Sequence, residues 1–455
     1  MRIIIRNYWR RRSAASGMIW LLSLFNAMDA TAQDTLSLTK CIRVTLERNV
    51  NSTIYRNDVL LAQQKVRENK SAFLPTVSGN ASFDYNIKLQ TSIIPAGTLS
   101  PTETKLQIGN KFSTGGYLEA DQAILDKSSS LAIRSAKVDK DISDLNVLKE
   151  NESLIYNTAS AYYQVLTYGE KGKLLRENEN QYKQLLSILK LRYEQGVVKK
   201  SEYDRTRVNL NNIQAELALN ENNYQLAINK LKNAMGIHLS TLINISDSID
   251  YSAQVAMPEA AGFNTRDLVS YRIDEQNILL KDIDVQKKKA AFVPTLSAYA
   301  KYGVNAYGSQ LSNAFNNWFD YSAIGIKLTV PIFSGFKKSS QLEQSKLDAR
   351  NQRLTARLNN DSYKLDYENS GSQLFSSYTS LLKNKENLSL AREVLQATGL
   401  EYKEGGSTLS TFLDDDYSYK EAQSNYITSL LDFLNSRLSF EKAKGTLTNY
   451  VSNLK

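Results

Sequence analysis

The stretch V-S-G-N-A-S-F-D-Y-N-I-K-L-Q, residues 77–90, decides the fold, because its side chains alternate strictly between apolar and polar. Asp84 and Lys88 lie on the polar side, whereas Phe83 and Tyr85 lie on the apolar side. A period of two predicts a β-strand with one wet face and one apolar face. Soluble sandwiches and membrane barrels both contain such strands. The surrounding sequence therefore has to distinguish them.

A proline precedes an alternating stretch in each half of the chain. The sequence A-F-L-P-T, residues 72–76, precedes the first alternating run, and A-F-V-P-T, residues 291–295, precedes a second run. Proline disfavours a continuing helix, so Pro75 and Pro294 are expected to start strands. Pro331 follows the last predicted strand as its exit. Two Y-x-x-G motifs, which begin at Tyr193 and Tyr402, repeat in the same order, which predicts an internal duplication.

The composition indicates a mostly helical protein. The chain has 455 residues, of which only 6 are proline and 20 are glycine, and 42% are hydrophobic. The single Cys41 excludes an internal disulfide framework, and the single His238 leaves no histidine cluster for a metal. We interpret both as incidental structural residues. A formal charge of +9 is a mild excess for this length and does not indicate nucleic-acid binding.

The N-terminus has the pattern of a secretory signal peptide. Residues 1–12 contain five arginines, residues 17–25 are apolar, and Ala30-Thr31-Ala32 matches an A-x-A cleavage site. A short N-terminal anchor is the alternative, but this apolar stretch is too short to span a bilayer. No later stretch has eighteen uninterrupted apolar residues. If the exported protein enters a membrane, it is expected to do so as a barrel.

The two halves share one predicted order, namely a helix, a β-hairpin and a long helical hairpin. The predicted segments are a cleaved signal peptide at 1–32, a helical segment at 33–75, the first β-hairpin at 76–127, the first long helical hairpin at 128–237, a linker at 238–264, a helical segment at 265–293, the second β-hairpin at 294–338, the second long helical hairpin at 339–445 and an irregular tail at 446–455.

Finer boundaries follow from the same patterns. We expect one continuous helix over 36–70, strands over 77–90 and 103–113, and Ser201 as the N-cap of the second helix of the first hairpin. The path between 113 and 127 is ambiguous. In the second half, strands are expected over 295–307 and 318–330, with long helices over 339–402 and 408–444.

Four strands cannot close a barrel, and a sheet that faces lipid cannot leave open edges. Several copies are therefore expected to complete one barrel, and three copies would give twelve strands. Trp318, Phe319 and Tyr321 are expected to form part of an aromatic girdle at the membrane surface.

With these features the chain resembles the TolC-type outer-membrane efflux proteins. The resemblance covers residues 36–445 and rests on the duplicated order of A-F-L-P, A-F-V-P, V-P-I-F-S-G and the two Y-x-x-G motifs. Ala123 stands where the family often has proline, and Glu202 stands where it usually has aspartate. The resemblance implies a mainly helical fold with membrane β-structure, in which a trimeric twelve-stranded barrel continues into a periplasmic helical tunnel.

The family also implies a function and partners. Its members are passive exit ducts in the outer membrane of Gram-negative bacteria, driven by an inner-membrane pump of the RND or ABC type through a periplasmic adaptor. The resemblance places adaptor docking at the two tips, whose residues here are Tyr193, Gly196, Ser201, Glu202, Tyr402, Gly405 and Ser410. The alternative for these residues is that they form ordinary turns. Outer-membrane lipid and two further copies complete the expected partners, which include no nucleic acid.

An acidic cluster follows the second tip. Asp414, Asp415 and Asp416 are interpreted either as a solvated helix start or as a constriction, where three copies would place a ring of carboxylates. The family often carries two acidic residues three apart here. Asp414 matches the second position and Thr411 occupies the first, so any gate is weaker or shifted.

A different class of function is a periplasmic coiled-coil adaptor or scaffold whose strands form a soluble β-domain. One-sided alternation on at least three strands argues against it. An enzyme is more remote, because the sequence has no phosphate-binding glycine loop and no nucleophile with a base. No catalytic, cofactor-binding or metal-binding residue is predicted. The sequence does not identify the exported substrate or the pump class.

Overall fold

The computed structural model describes residues 35–97, 101–245, 257 and 262–453. The predicted signal peptide and most of the predicted linker lie outside these residues. The described part forms eight α-helices and six strands: α1 (Leu38–Arg48), α2 (Val50–Ser71), β1 (Thr76–Tyr85), β2 (Gln90–Ile94), β3 (Thr104–Ile108), β4 (Phe112–Leu125), α3 (Lys127–Glu194), α4 (Lys200–Ala234), α5 (Val269–Ala290), β5 (Thr295–Gly308), β6 (Trp318–Thr329), α6 (Lys337–Glu404), α7 (Leu409–Lys444) and α8 (Leu447–Ser452).

The four long strands form one antiparallel sheet in the order β1-β4-β5-β6. Val77 is opposite Ala120, Ala120 is opposite Ala300, and Ala300 is opposite Ile324. Residues directly opposite each other point to the same face, so one apolar face runs across all four strands. The other face carries Glu119 opposite Lys301. The predicted alternation is therefore present in three dimensions.

The path of the first hairpin differs from the prediction. The predicted strand over 103–113 is wrong as a partner of β1, because β3 pairs instead with β2 in a separate two-stranded sheet. The partner of β1 is β4, which occupies the stretch that the sequence left ambiguous. Polar and apolar residues alternate in both stretches, so periodicity alone could not select the register.

The predicted aromatic girdle is only partly correct. Trp318 is opposite Ala306 and lies on the apolar face, but Phe319 and Tyr321 lie on the opposite face. Tyr321 covers Gly303, where an added Cβ would lie 2.7 Å from the tyrosine ring. Phe83, Tyr85 and Phe112 also lie on the apolar face and stack on one another at one end of the sheet.

The predicted single helix over 36–70 is wrong, because the chain breaks at Asn49. The Asn49 side chain accepts from the backbone N–H of Asn51 at 2.9 Å and so caps α2. Its Nδ2 donates to the carbonyl oxygen of Ala234 at 2.9 Å. Gly236 has a φ of +66°, and a Cβ there would lie 2.8 Å from Asn49 Cα. The end of α4 therefore holds the break between α1 and α2.

The long helices follow the prediction. With 68 residues each, α3 and α6 are about 100 Å long at 1.5 Å per residue. The predicted N-cap Ser201 is wrong, since α4 begins after Lys199, which makes no side-chain capping bond. No helix among the described residues is long and apolar enough to cross a lipid bilayer.

The main hydrophobic core joins both halves and the C-terminus. Tyr162 and Tyr163 of α3 pack with Phe433 and Leu434 of α7, and all four are almost fully buried. The predicted irregular tail is wrong, because α8 is helical from Leu447 and places apolar side chains in this core. Six residues were too few to give a periodic signal.

Candidate functional site at the helical-hairpin tips

Each helical hairpin turns at a glycine in the left-handed region. Gly196 has a φ of +74° and Gly405 a φ of +83°. The residue after each glycine donates its backbone N–H to the carbonyl oxygen five positions earlier, as in a Schellman motif at a helix C-terminus. The distance is 2.8 Å both from Val197 N to Arg192 O and from Gly406 N to Glu401 O. Only glycine adopts this conformation without strain, which explains its place in both motifs.

The two tips pack on each other through a small apolar cluster. Leu189 from α3 and Leu210 from α4 are buried there with Leu409 and Leu413 from α7. Tyr203, Tyr402 and Phe412 pack against this cluster. Tyr402 stacks on Phe412 with centroids 5.8 Å apart, and the exposed Tyr193 stacks on Tyr203 at 6.2 Å. The two turns therefore form one surface.

Polar contacts also connect the tips. Arg205 Nη1 of α4 donates to Ser410 Oγ of α7 at 3.3 Å. Burial raises the pKa of Tyr402, and the negative charge of Glu202 raises it further, whereas a hydrogen bond with Arg192 lowers it. Glu202 from the first motif thus lies near Tyr402 from the second, while Ser201 is exposed. The structure brings the predicted docking residues of both motifs to the same end of the molecule.

The start of α7 separates the residues of the acidic cluster. Thr408 caps the helix by accepting from the backbone N–H of Thr411 at 3.2 Å. The side chains of Thr411 and Asp414 are exposed. Asp415 is half-buried and accepts from Thr398 Oγ1 at 2.6 Å. The cluster is therefore not a single set of equivalent carboxylates.

Asp416 lies in the interior of the chain, with only 4% of its surface exposed. The Tyr182 hydroxyl donates to Asp416 Oδ2, and Lys420 Nζ lies 2.6 Å from the same oxygen. Lys420 Nζ also lies 3.9 Å from the centroid of the Tyr182 ring. Asp416 is consequently a buried partner of α3 and does not fit the predicted ring of pore carboxylates.

A groove of about 670 Å³ lies between α3 and α6 beside the tips. Its wall combines apolar side chains, among them Leu185, Ile188 and Leu400, with the cations Arg192 and Lys403. Gly399 lines the groove beside the Phe412 ring, which a Cβ at this position would meet at an ordinary contact distance of 3.5 Å. The groove can accept an elongated apolar segment with polar ends.

Sequence reasoning missed Tyr182, Thr398 and Lys420, which hold the start of α7. Each belongs to a long helical pattern without a local motif, so no sequence signal distinguished it from its neighbours. Among the described residues, no group of three or more His, Cys, Asp or Glu side chains is arranged to hold a metal ion.

Comparison with known proteins identifies the relatives of this arrangement. The model of the family described as "Outer membrane efflux protein" matches residues 54–237 and 275–446. The outer membrane protein TolC of Escherichia coli is 22% identical over 398 residues, which cover 85% of this chain and 77% of TolC. The alkaline protease secretion protein AprF of Pseudomonas aeruginosa is 23% identical over 226 residues, which cover 48% of this chain and 46% of AprF.

A solved structure has the same fold. The crystal structure of CusC, described for its folding and transmembrane channel formation, superposes with a TM-score of 0.75 at 14% identity. The superposition covers 89% of this chain and 91% of CusC.

Proposed function

The chain belongs to the outer membrane efflux protein family, and we propose that three copies of it form a passive exit duct in the outer membrane of a Gram-negative bacterium. The sheet carries the proposal, because its outer strands β1 and β6 each have one edge that no other described strand pairs with. A lipid-facing sheet must satisfy these edges, and a neighbouring copy offers the complementary strand. Three four-stranded sheets would close a twelve-stranded barrel.

The exposed apolar face supports a lipid environment. Ile324 is 87% exposed and Ile326 is 73% exposed, and Val77, Leu118 and Leu328 extend the same face. The stretch of β5 from Leu296 to Ala306 spans about 25 Å along a barrel axis if the strand is tilted by roughly 40°. This height matches the apolar band of outer-membrane barrels. The aromatic cluster of Phe83, Tyr85 and Phe112 would then mark one membrane surface.

A second unpartnered surface supports assembly along the tunnel. The helix α6 exposes large apolar side chains at spacings of four and seven residues, namely Leu347, Leu354, Leu358 and Leu365. This spacing is typical of a coiled-coil seam. Burial against a neighbouring copy would remove these side chains from water and continue the barrel as a helical tunnel of about 100 Å.

The tips support docking of a periplasmic adaptor. They present both Y-x-x-G turns on one surface beside an apolar groove with Arg192 and Lys403 on its wall. An adaptor helix with apolar and acidic side chains would match this groove. The adaptor would connect the duct to an inner-membrane pump, of the RND type for small molecules or the ABC type for proteins.

The gate proposal rests on Asp414 alone. Its exposed carboxylate lies on the second turn of α7, and three copies around the tunnel axis would form a ring that attracts cations. Asp416 is bound inside the chain and would contribute no free charge.

Conductance in planar bilayers tests the function. The purified protein should form ion-conducting pores without ATP or a proton gradient, because the proposed duct is passive. Addition of a non-hydrolysable nucleotide should leave the conductance unchanged. The alternative function, a soluble periplasmic adaptor, predicts that the protein forms no pores and is released from the cell envelope in the absence of detergent.

A further inference from the structure

The junction between the sheet and the helices has an exposed apolar segment that the duct function does not explain. This junction segment comprises residues 330–338, V-P-I-F-S-G-F-K-K, between β6 and α6. Ile332 is 94% exposed, Phe333 is 77% exposed and Phe336 is 75% exposed. Large side chains this exposed are expected to meet a partner or a membrane.

The backbone of the segment is held in place. Gly335 and Phe336 have φ values of +59° and +62°, so a non-glycine residue occupies the left-handed region. The carbonyl of Phe336 accepts from Ser339 Oγ at 2.8 Å, and the rings of Phe333 and Phe336 meet edge to face at 5.7 Å. The apolar side chains are therefore presented by a defined turn.

A lysine of the junction segment forms a hydrogen bond with the backbone at the end of α5. Lys338 Nζ donates to the carbonyl oxygen of Ala291 at 2.7 Å. Phe292 and Val293, directly after that carbonyl, are also exposed. The junction segment and residues 291–293 thus form one continuous apolar surface at the helical end of the sheet.

Positive charge surrounds this surface. Lys289 and Lys337 are exposed, and Lys287 and Lys288 are half-buried. Residues 285–294 and 330–342 contain five lysines and no aspartate or glutamate. The corresponding turn of the first half carries Asp126, which caps α3 through Ser128 N at 2.8 Å. The first-half segments 66–75 and 122–134 mix two lysines and two arginines with Glu68 and Asp126, whereas the second-half segments carry lysines alone.

We propose that this junction surface binds the headgroups of anionic phospholipids in the periplasmic leaflet of the membrane, with its apolar side chains in the acyl boundary. The inference rests on the proposed duct, which puts the helical end of the barrel at that leaflet. Aromatic side chains are favoured at the headgroup level, and each lysine near an anionic surface strengthens binding about fivefold. A second copy of the chain is the other occupant that the apolar side chains could accept.

Lipid retention by the detergent-extracted, full-length protein tests this inference. Native mass spectrometry would compare retained phosphatidylglycerol with phosphatidylcholine, supplied at equal mole fraction. The wild type should retain more phosphatidylglycerol, and its preference should fall as salt rises. The Lys289→Gln, Lys337→Gln double variant should bind phosphatidylglycerol about fivefold more weakly for each lysine removed.

Lys190→Gln is the matched control, because Lys190 is an exposed lysine near the other end of α3. It should retain the wild-type preference. An intact oligomer without preference for phosphatidylglycerol would overturn this inference and leave the duct untouched, whereas a chain that forms no pores would overturn the duct itself. If Phe333→Ser separates the copies in phosphatidylcholine while the lysine variants change nothing, a second copy covers the surface and the lipid proposal is wrong. The salt dependence of the wild type tests the lipid preference even if a variant fails to fold.

Discussion

The Tyr182 hydroxyl of α3 donates a hydrogen bond to the Asp416 carboxylate of α7 in the interior of the tip region. This contact joins the first helical hairpin to the second, and Lys420 supplies the neutralising charge at 2.6 Å. A buried carboxylate is tolerated only with such partners. The pair therefore fixes the start of α7, from which Asp414 projects.

Replacement of Asp416 should loosen the tips. Asp416→Ala leaves the Tyr182 hydroxyl buried without its acceptor and the Lys420 ammonium without its counter-charge, at a cost of about 2 kcal/mol. That cost corresponds to roughly 30-fold faster amide hydrogen exchange in the first turns of α7. Asp414→Ala, at an exposed position, is the control and should leave exchange unchanged. Equal exchange in both variants would show that the buried pair does not hold the helix.

Alkaline pH should weaken the same contact. Burial and the negative charge of Asp416 raise the pKa of Tyr182 well above its ordinary value. Below about pH 10, Tyr182 is protonated in both the folded and the unfolded chain, so it makes its full contribution to the free energy of unfolding. Above that pH the unfolded chain loses the proton first, so the free energy of unfolding falls as pH rises.

Urea titrations at several pH values between about 9 and 12 measure this effect. In Tyr182→Phe the loss of stability above pH 10 should be smaller by about 1.4 kcal/mol per pH unit. Other buried tyrosines, among them Tyr163 and Tyr450, also have raised pKa values and should maintain part of the slope. An identical slope in wild type and Tyr182→Phe contradicts the assigned burial of the hydroxyl.

The two faces of β6 should respond oppositely to substitution. Ile326 is opposite Ala298 on the apolar face, and Lys327 is opposite Ser297 on the polar face. Ile326→Arg should impair membrane insertion by about 2–4 kcal/mol if it lies near the bilayer midplane. Lys327→Leu should be tolerated in folding assays into lipid vesicles. Greater harm from Lys327→Leu would mean that the lipid side is the other face.

Removal of the Asp414 charge should change conduction and leave assembly intact. In planar bilayers Asp414→Ala should lose cation preference and any block by divalent cations, because the proposed ring of carboxylates disappears. Thr411→Asp should strengthen both properties, since Thr411 is exposed one turn earlier. Asp415→Asn, at a half-buried residue bound to Thr398, should have a smaller effect. Wild-type selectivity in Asp414→Ala would leave the cluster as a solvated helix start.

Strong local patterns predicted most of the architecture. The helix predicted over 339–402 matches α6 within two residues at each end, and the glycines of the Y-x-x-G motifs lie at both tips. These features depend on backbone preferences, which each residue carries wherever it lies. Strict alternation likewise identified the apolar face of β5 and β6.

The sequence-based predictions were wrong at positions where contacts between distant segments determine the local structure. Asn49 interrupts a helical pattern because Ala234, far away in sequence, offers a carbonyl acceptor. The choice of β4 over β3 as partner of β1 depends on cross-strand pairing. Asp416 has the same sequence context as Asp414, and only the position of Tyr182 on another helix buries one of them. Such information is absent from a single segment of sequence.

The mass of the particle extracted from the outer membrane tests the central proposal most directly. Native mass spectrometry in a mild detergent should give three chains per particle, because one four-stranded sheet leaves the edges of β1 and β6 unpaired. Leu358→Glu, in the exposed apolar stripe of α6, should lower the trimer fraction, whereas Leu242→Glu, at an exposed site outside the helices, should not. A wild-type particle of three chains is the predicted result; a monomer in mild detergent, or protein released from the periplasm without detergent, would contradict the trimeric duct.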